Sequence, residues 1–478
     1  MADVSFQHPE YKASEYRWSV VSDVCGGQET VKAAGEKYLP RPNYEDKSTE
    51  ARNRYNRYRE RAAFYNIAGR TKDVLVGIAF AKPPAFEVPG SIEYIVDDID
   101  GAGVSIAQQA HETLEEVLKI GRHGLLVDYP QTIAPASRAD MDAGLIRSVT
   151  VAIEARQIIN WRTERVGAKN KLVLVVIAES VMEVTEDGFG QESLMQHRVL
   201  RLNEGNYTQE LWRKDGNGVW YIYAPEFSIT DGSGRPWDEI PFAFVGSVNN
   251  DSRVDPAPLY DIAELNIAHY RNSADYEDGV FYAGQAQPWM AGLSEEWRDW
   301  MQEQGLYVGS RAPILLPEGG QYGIAQAQPN TQAKEAMDQK EAQMIALGAR
   351  LLQPGSAVKT ATEAQGELES NHSVLSLAVA NVSDAYTKCL NWMLRFMGAS
   401  GEASFALNSD FSRRDLDATI MTALATVWGT GQLPESDLWR AMRRTNLIDP
   451  QKTDEEIKEE IDSQMAGIDL DGDISAAG

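Results

Sequence analysis

The spacing of apolar positions changes several times along the chain, and each change marks a different kind of element. In ARNRYNRYRERAAFYNIAGR, Tyr55, Tyr58, Ala62 and Tyr65 recur at intervals of three and four, which predicts helix over 50–80. Pro83-Pro84 ends that unit, because proline cannot continue a helix. Leu114, Val117 and Leu118 place a helix over Ile106–Ile120. Gly121 and Gly124 follow, then the apolar run GLLVDYP, together a helix–stop–strand unit.

Between 150 and 250 the pattern is that of strands: IINWR, KLVLVVIAESVMEV, HRVLRL, YTQELWR, VWYIYAPEF and IPFAFVG. Turn pairs at Asp187-Gly188, Asp215-Gly216, Asn217-Gly218 and Asp231-Gly232 separate several of them. This predicts an antiparallel β-layer. The run Leu172–Ala178 is far short of the roughly 20 apolar residues a membrane span needs, and is expected to be a buried strand.

Helical spacing returns after Pro256 and Pro258. Leu259, Ile262, Asn266, Ile267, Tyr270 and Ala274 share one side of a helix expected to end near Gly279. A short segment over 280–330 carries strands, turns and a Trp-rich helix with Ser294, Trp297 and Trp300. A second helix is predicted from Thr331 to about Leu352. Pro354-Gly355-Ser356 interrupts it, and a third is expected over about Ala361–Met397. At about 1.5 Å per residue this third helix would be roughly 55 Å long. One more helical pair and an acidic tail, with nine acids against two lysines from Gln451 onward, complete the pattern.

Charge narrows the function classes. Lys and Arg total 45 against 71 Asp and Glu, a net charge of −26. That balance argues against holding nucleic acid by broad phosphate neutralisation, though not against a protein that nucleic acid slides past. The arginines at 52, 54, 57, 59 and 61 read either as a nucleic-acid stripe or as the solvated flank of a tyrosine-lined core face. Cys25 and Cys389 are distant, so neither a disulfide framework nor a zinc finger is expected, and a reducing compartment is. The start MADVSFQHPEYK has no basic and apolar regions of a secretory leader.

The chemistry that common motifs would carry is missing. No GxxxxGK[ST] phosphate loop occurs, Gly101-Ala102-Gly103 lacks a dinucleotide context, and His111-Glu112 lacks a second histidine. Asp469, Asp471 and Asp473 alternate like a calcium loop, but Gly472 is misplaced and no glutamate follows. Gly-x-Ser-x-Gly is absent too. The expectation is a protein with no catalytic site, no metal and no cofactor.

The order of elements is the informative feature: a β-rich unit, a helix, a small insert, a helix, a Pro-Gly break and a long helix. Two helices around an insert can run antiparallel with the insert projecting as a knob. A single copy would be poorly covered, and symmetric ring closure is a common remedy. Several strings in this order are HPEY, VKAAGEKYLPRP (31–42), FYNIAGRTKDVLVGIAFAKPP (64–84), GRHGLLVDYP (121–130), IINWR (158–162), IPFAFVG (240–246), AELNIAHYRNSADYEDG (263–279), ILLPEGG (314–320), KEAQMIALGARLL (340–352) and TATEA (360–364). On these, over roughly His8 to Glu460, the chain resembles the portal proteins of tailed bacteriophages, in the subgroup long labelled as of unknown function.

The resemblance implies an α+β portal fold and a division of the chain. An α/β wing would cover 1–256, stem helices 257–280 and 331–352, and a small α/β clip 281–330. A tunnel loop would occupy 353–360, a long wing helix 361–400, and a short helical crown with the acidic tail 401–478. It also implies a ring, usually of twelve subunits, at one capsid vertex of a virion assembled in the bacterial host cytoplasm. Such a ring passes double-stranded DNA during packaging and ejection. Its partners would be the terminase large subunit, then a head–tail adaptor, with major capsid and scaffolding proteins around it and no membrane.

A bore that holds DNA weakly suits an acidic wall with few cations. Asp261, Glu264, Asp275, Glu277 and Asp278 on the first stem helix are the candidate wall, or else simply solubilise helix surfaces. Arg350, Gln353, Ser356 and Lys359 would lie at or near the tunnel loop. Trp289, Trp297, Trp300 and Tyr307 are candidate partner anchors on the clip, or else pack within it or between subunits. Another virion ring component, or a DNA-processing enzyme, remains an alternative.

Overall fold

The computed structural model describes residues 4–129, 146–185, 187–285, 287–304, 316–325, 331–352 and 373–409, with 411, 439, 452–454 and 456–458. The chain divides into two compact units, Met1–Ser409 and Asp410–Gly478. In the second, Trp439 and Ile457 are buried.

The first unit is mixed α+β. It opens on helices α1 (Pro9–Cys25), α2 (Gln28–Ala33), α3 (Thr49–Arg61) and α4 (Ile67–Ala79). His8 starts α1: its Nδ1 accepts from the Glu10 amide, and its ring stacks on Trp161. The helix expected over 50–80 is two helices. Asn66 caps α4 by accepting from the Gly69 amide, as the short amides at helix N-termini require. Tyr65 therefore falls in the connection and is 40% exposed, while Tyr55 and Tyr58 are buried as the spacing predicts.

Strand β1 (Ala85–Glu87) leads by a short 3-10 segment to α5 (Ile106–Ile120). Ser105 and Gln108 form a capping box at its start. Gly121 stops it at φ +75°, with no room for a side chain beside the Pro256 carbonyl. Strands β2 (Arg122–Asp128) and β3 (Val149–Glu154) then pair antiparallel. The long antiparallel layer follows: β4 (Ile158–Val166), β5 (Lys169–Val184), β6 (Gln191–Asn203), β7 (Asn206–Lys214) and β8 (Trp220–Ser228), each paired to the next. Val175, Val176 and Ile177 in the LVLVVIA run are buried. Two turns of this meander hold only two residues: Gly167-Ala168, and Glu204-Gly205, both of the latter at positive φ, pairs the sequence reading did not single out.

Strand β9 (Phe242–Gly246) pairs with the opposite edge of β2, so the small sheet runs β3-β2-β9. All five residues of β9 are buried. Helix α6 (Tyr260–Ala283) follows, then β10 (Gln287–Ala291), α7 (Glu295–Gln304), β11 (Gln321–Ala325), α8 (Thr331–Arg350) and α9 (Val374–Phe396). Helix α9 packs on β2, β9 and α5, burying Leu375, Ala378, Val382, Tyr386 and Cys389.

Helix α9 starts at Val374 behind an N-cap at Ser373, and residues 361–372 of the helix expected from Ala361 lie outside the described residues. Ser373 is extended at φ −69° and ψ 160°, and its hydroxyl accepts from the Ser376 amide. The continuous apolar stripe hid this cap, because a serine in helix-compatible sequence looks neutral until its hydroxyl is seen on the backbone. The region assigned to a helical crown from 401 also starts differently: β12 (Ser404–Ala406) pairs with β1 inside the first unit.

Candidate functional site

Helix α6 buries one face, with Ile262, Ala263, Asn266, Ile267, Tyr270 and Ala274 at spacings of three and four. It packs against α8, whose buried positions are Met344 and Gly348. Gly348 has no Cβ, and one built there would sit 3.2 Å from the Thr71 methyl of α4. The two helices run antiparallel. Gln287, just after α6, lies opposite Ala325, just before α8, in the strand pair. Nearly five turns back from that pair, His269 is faced by Asp338, Lys340 and Glu341, and burial lowers its pKa.

The insert between these helices is a two-stranded antiparallel pair, β10 with β11, carrying α7. Trp289 lies over Gly323, where any Cβ would come within 2.6 Å of the indole. Trp297 and Trp300 meet edge to face at 5.3 Å on α7, and Trp300 stays 52% exposed.

The candidate acidic wall is not one cluster. Asp261 and Glu264 are exposed in the first turns of α6. Asp275 and Glu277 lie roughly 20 Å further along, at ~1.5 Å per residue. Asp275 accepts a 2.6 Å hydrogen bond from the Tyr58 hydroxyl. Burial, then the Asp275 carboxylate, pushes the Tyr58 phenol far above its ordinary range. Asp278 is ion-paired with Arg61, so two of the five acids are committed to α3. Arg350 is exposed in the last turn of α8. Gln353, Ser356, Lys359 and Tyr307 lie outside the described residues.

Two features were not assigned a role by sequence reasoning. Asn266 looked like one more position on an apolar stripe. Its fully buried amide accepts from the Ile67 and Ala68 amides at 3.0 and 3.2 Å and donates to the Tyr65 carbonyl at 2.8 Å. It thus ties the start of α4 to α6. The second is a cleft of about 280 Å³ between α3, the Arg41–Asn43 segment and the end of α6, lined by arginines and aromatic rings. The arginine-tyrosine alternation of α3 was the signal for it: Tyr55 and Tyr58 are core, and Arg54, Arg57 and Arg61 flank them around a cavity.

Among the described residues no group of three or more His, Cys, Asp or Glu is placed to hold a metal, and no helix is long and apolar enough to cross a membrane.

The fold is of the mixed α+β class. Residues 258–397 match the family model described as a domain of unknown function (DUF4055). That stretch holds the helix pair, the insert and α9. No curated protein matches the sequence. Among solved structures, the chain is similar to one from the "Virion of native gene transfer agent (GTA) particle", at 15% identity and TM-score 0.40, over 86% of this chain and 97% of that one. A chain of the "Neck of native GTA particle computed with C12 symmetry" is 15% identical with TM-score 0.39, over 78% and 88%. A third, from the "Neck of empty GTA particle computed with C6 symmetry", is 16% identical with TM-score 0.40, over 86% and 96%.

Proposed function

We propose that this chain is the subunit of a ring that passes double-stranded DNA at one vertex of a phage-like particle, a portal subunit with no catalytic site. The observation that carries the reading is the antiparallel pair α6 and α8 closing on a small β–α–β insert. Paired helices of 24 and 20 residues suit a wall standing along a channel. An insert with exposed Trp289 and Trp300 suits a docking tip at its end.

In this reading 1–256 is the wing, α6 and α8 the stem, and 281–330 the clip. Residues 353–360 form the loop nearest the DNA, where Lys359 is the touching cation beside Arg350. Asp261 and Glu264 present exposed carboxylates that keep phosphate from adhering, so friction on moving DNA stays low. The clip takes the packaging motor first and the head–tail adaptor afterwards, and capsid and scaffolding proteins surround the ring.

Negative-stain electron microscopy of the purified chain tests this. Rings with a central hole wide enough for a duplex, in twelvefold or similar symmetry, are expected. Compact monomers with measurable ATP hydrolysis would overturn it.

A further inference from the structure

The chain ahead of α1 is strapped across the edge of the long sheet. Val4 is buried, and its backbone meets the His197 ring of β6. Further on, the His8 amide donates to the Ile159 carbonyl of β4 at 2.8 Å. Strand β4 is an edge strand, paired in the sheet only with β5. Bare backbone groups on a sheet edge invite another strand, and the strap closes this one.

His8 does more than end the strap. Its ring stacks on Trp161 with centroids 3.9 Å apart, and its Nδ1 accepts from the Glu10 amide at 3.2 Å to start α1. Only an unprotonated Nδ1 can accept, because a histidinium is a donor at both nitrogens. A proton there would point at the Glu10 amide hydrogen, and the cap would be lost. The charge is unwelcome as well. Arg122 of β2 is 1% exposed, lies 4.2 Å from the same Trp161 ring, and opposes a second cation at His8. Glu10 favours the charged ring, but its carboxylate is engaged by the Val254 amide. Asp251 and Asp255 face Arg122, and the β4 residues against His8, Ile159 and Trp161, carry no charge. Burial outweighs Glu10, and the His8 pKa lies below its ordinary value.

We propose that His8 is a pH-sensitive latch for the strap at residues 4–8: neutral, it holds the strap on β4, and a proton taken from solvent at Nδ1 releases it. A released histidine titrates near 6.5. The open strap therefore binds the proton more tightly than the closed one. Falling pH favours opening, by up to about tenfold for each pH unit below 6.5. Opening frees the Ile159 carbonyl and uncovers the Trp161 ring, so acid turns a closed sheet edge into one that can take an added strand. The latch is a property of the single chain and holds whether or not copies form a ring.

The test is hydrogen exchange by mass spectrometry on the full chain, corrected for the intrinsic effect of pH and read at the peptide carrying residues 4–11. Between pH 6.5 and 5 its protection in the wild type is expected to fall several-fold, up to about tenfold, for each pH unit. His8→Asn keeps a capping acceptor for the Glu10 amide and cannot titrate, so its strap should stay protected over the same range. His123, His197 and His269 remain in that variant, so any acid loosening of the whole fold is common to both proteins and cancels in the comparison. Equal falls in the two proteins would overturn the inference, and so would a wild-type strap whose protection is flat with pH. His8→Ser offers the same acceptor on a smaller side chain. If neither substitute protects the strap at pH 7.5, the wild-type fall is set against that of β5, and a strap that loses protection no faster than β5 overturns the latch.

Discussion

The Tyr58 hydroxyl donates to the Asp275 carboxylate across 2.6 Å, joining a helix near the start of the chain to one 217 residues later. One helical turn further along each helix, Arg61 pairs with Asp278. The two contacts hold α3 along the distal half of α6, where the face of that helix is no longer buried by its own apolar stripe. Tyr58→Phe is expected to cost about 1 kcal/mol, the usual net worth of one hydrogen bond. Urea denaturation of the two proteins checks it, and an unchanged midpoint would show that the hydroxyl is equally well served by water.

Asn266 is the more demanding position. Its side chain is the partner for two backbone amides and one carbonyl in a fully buried place. Asn266→Ala leaves all three groups without it. A loss of about 3 kcal/mol is expected, and hydrogen exchange should speed up first at Ile67 and Ala68.

Gly121 is fixed both by backbone conformation and by space. It holds φ +75°, and a Cβ there would lie 2.4 Å from the Pro256 carbonyl oxygen. Gly121→Ala should destabilise by at least ~2 kcal/mol, more than left-handed strain alone. The same change at Gly205, also at positive φ but in open space, is expected to be milder. Equal melting temperatures for the two variants would contradict the clash.

Acid should destabilise the fold through its histidines. Burial lowers His123 to about 3, with nearby Lys119 acting in the same direction. An unfolded histidine titrates near 6.5. The unfolded chain therefore binds a proton that the folded one excludes. The stability tied to His123 is full above pH ~6.5 and declines as pH falls toward 3, by about 1.4 kcal/mol for each pH unit. His8, His197 and His269 are lowered as well, chiefly by burial, and add to the slope. Urea midpoints between pH 6.5 and 4 should fall steadily, and His123→Leu should show a shallower fall. Parallel slopes would remove His123 from the account.

The insert offers a contrast between two tryptophans. Trp289 covers Gly323 across the strand pair, so Trp289→Ala should loosen β10 and β11. Trp300 is 52% exposed and touches Trp297 edge on, so Trp300→Ala should leave the thermal melt within about 1 °C. In the proposed portal role it should weaken docking of the packaging motor, measured by pull-down with that partner.

Much of this arrangement was readable in the residues because it is periodic. The helix Ile106–Ile120, its glycine stop and the apolar strand after it follow from local rules, and so do the strands between 150 and 228 and the helix pair around the insert. What escaped was carried by single polar atoms reaching across the chain. Asn66 and Ser373 reset helix starts through one hydroxyl or amide each, and no spacing rule sees them. Arg122 is charged, yet it is 1% exposed, held between the Trp161 and Phe244 rings at 4.2 Å and donating to the Arg253 carbonyl. Burial brings it down to about 10. Composition alone would put such a residue on the surface. The acids of α6 hid a similar long reach: Asp275 and Asp278 have partners two hundred residues away.

Helix α9 lies on β2, β9 and α5, none of which belongs to the stretch 258–397 that the family model spans. Cut out by itself, that stretch would leave Leu375, Val382, Tyr386 and Leu390 facing water instead of a floor laid down earlier in the chain. A recombinant fragment with those limits should be sticky and poorly soluble. A workable truncation has to keep the small sheet and run through Ala406, whose strand clasps Ala85.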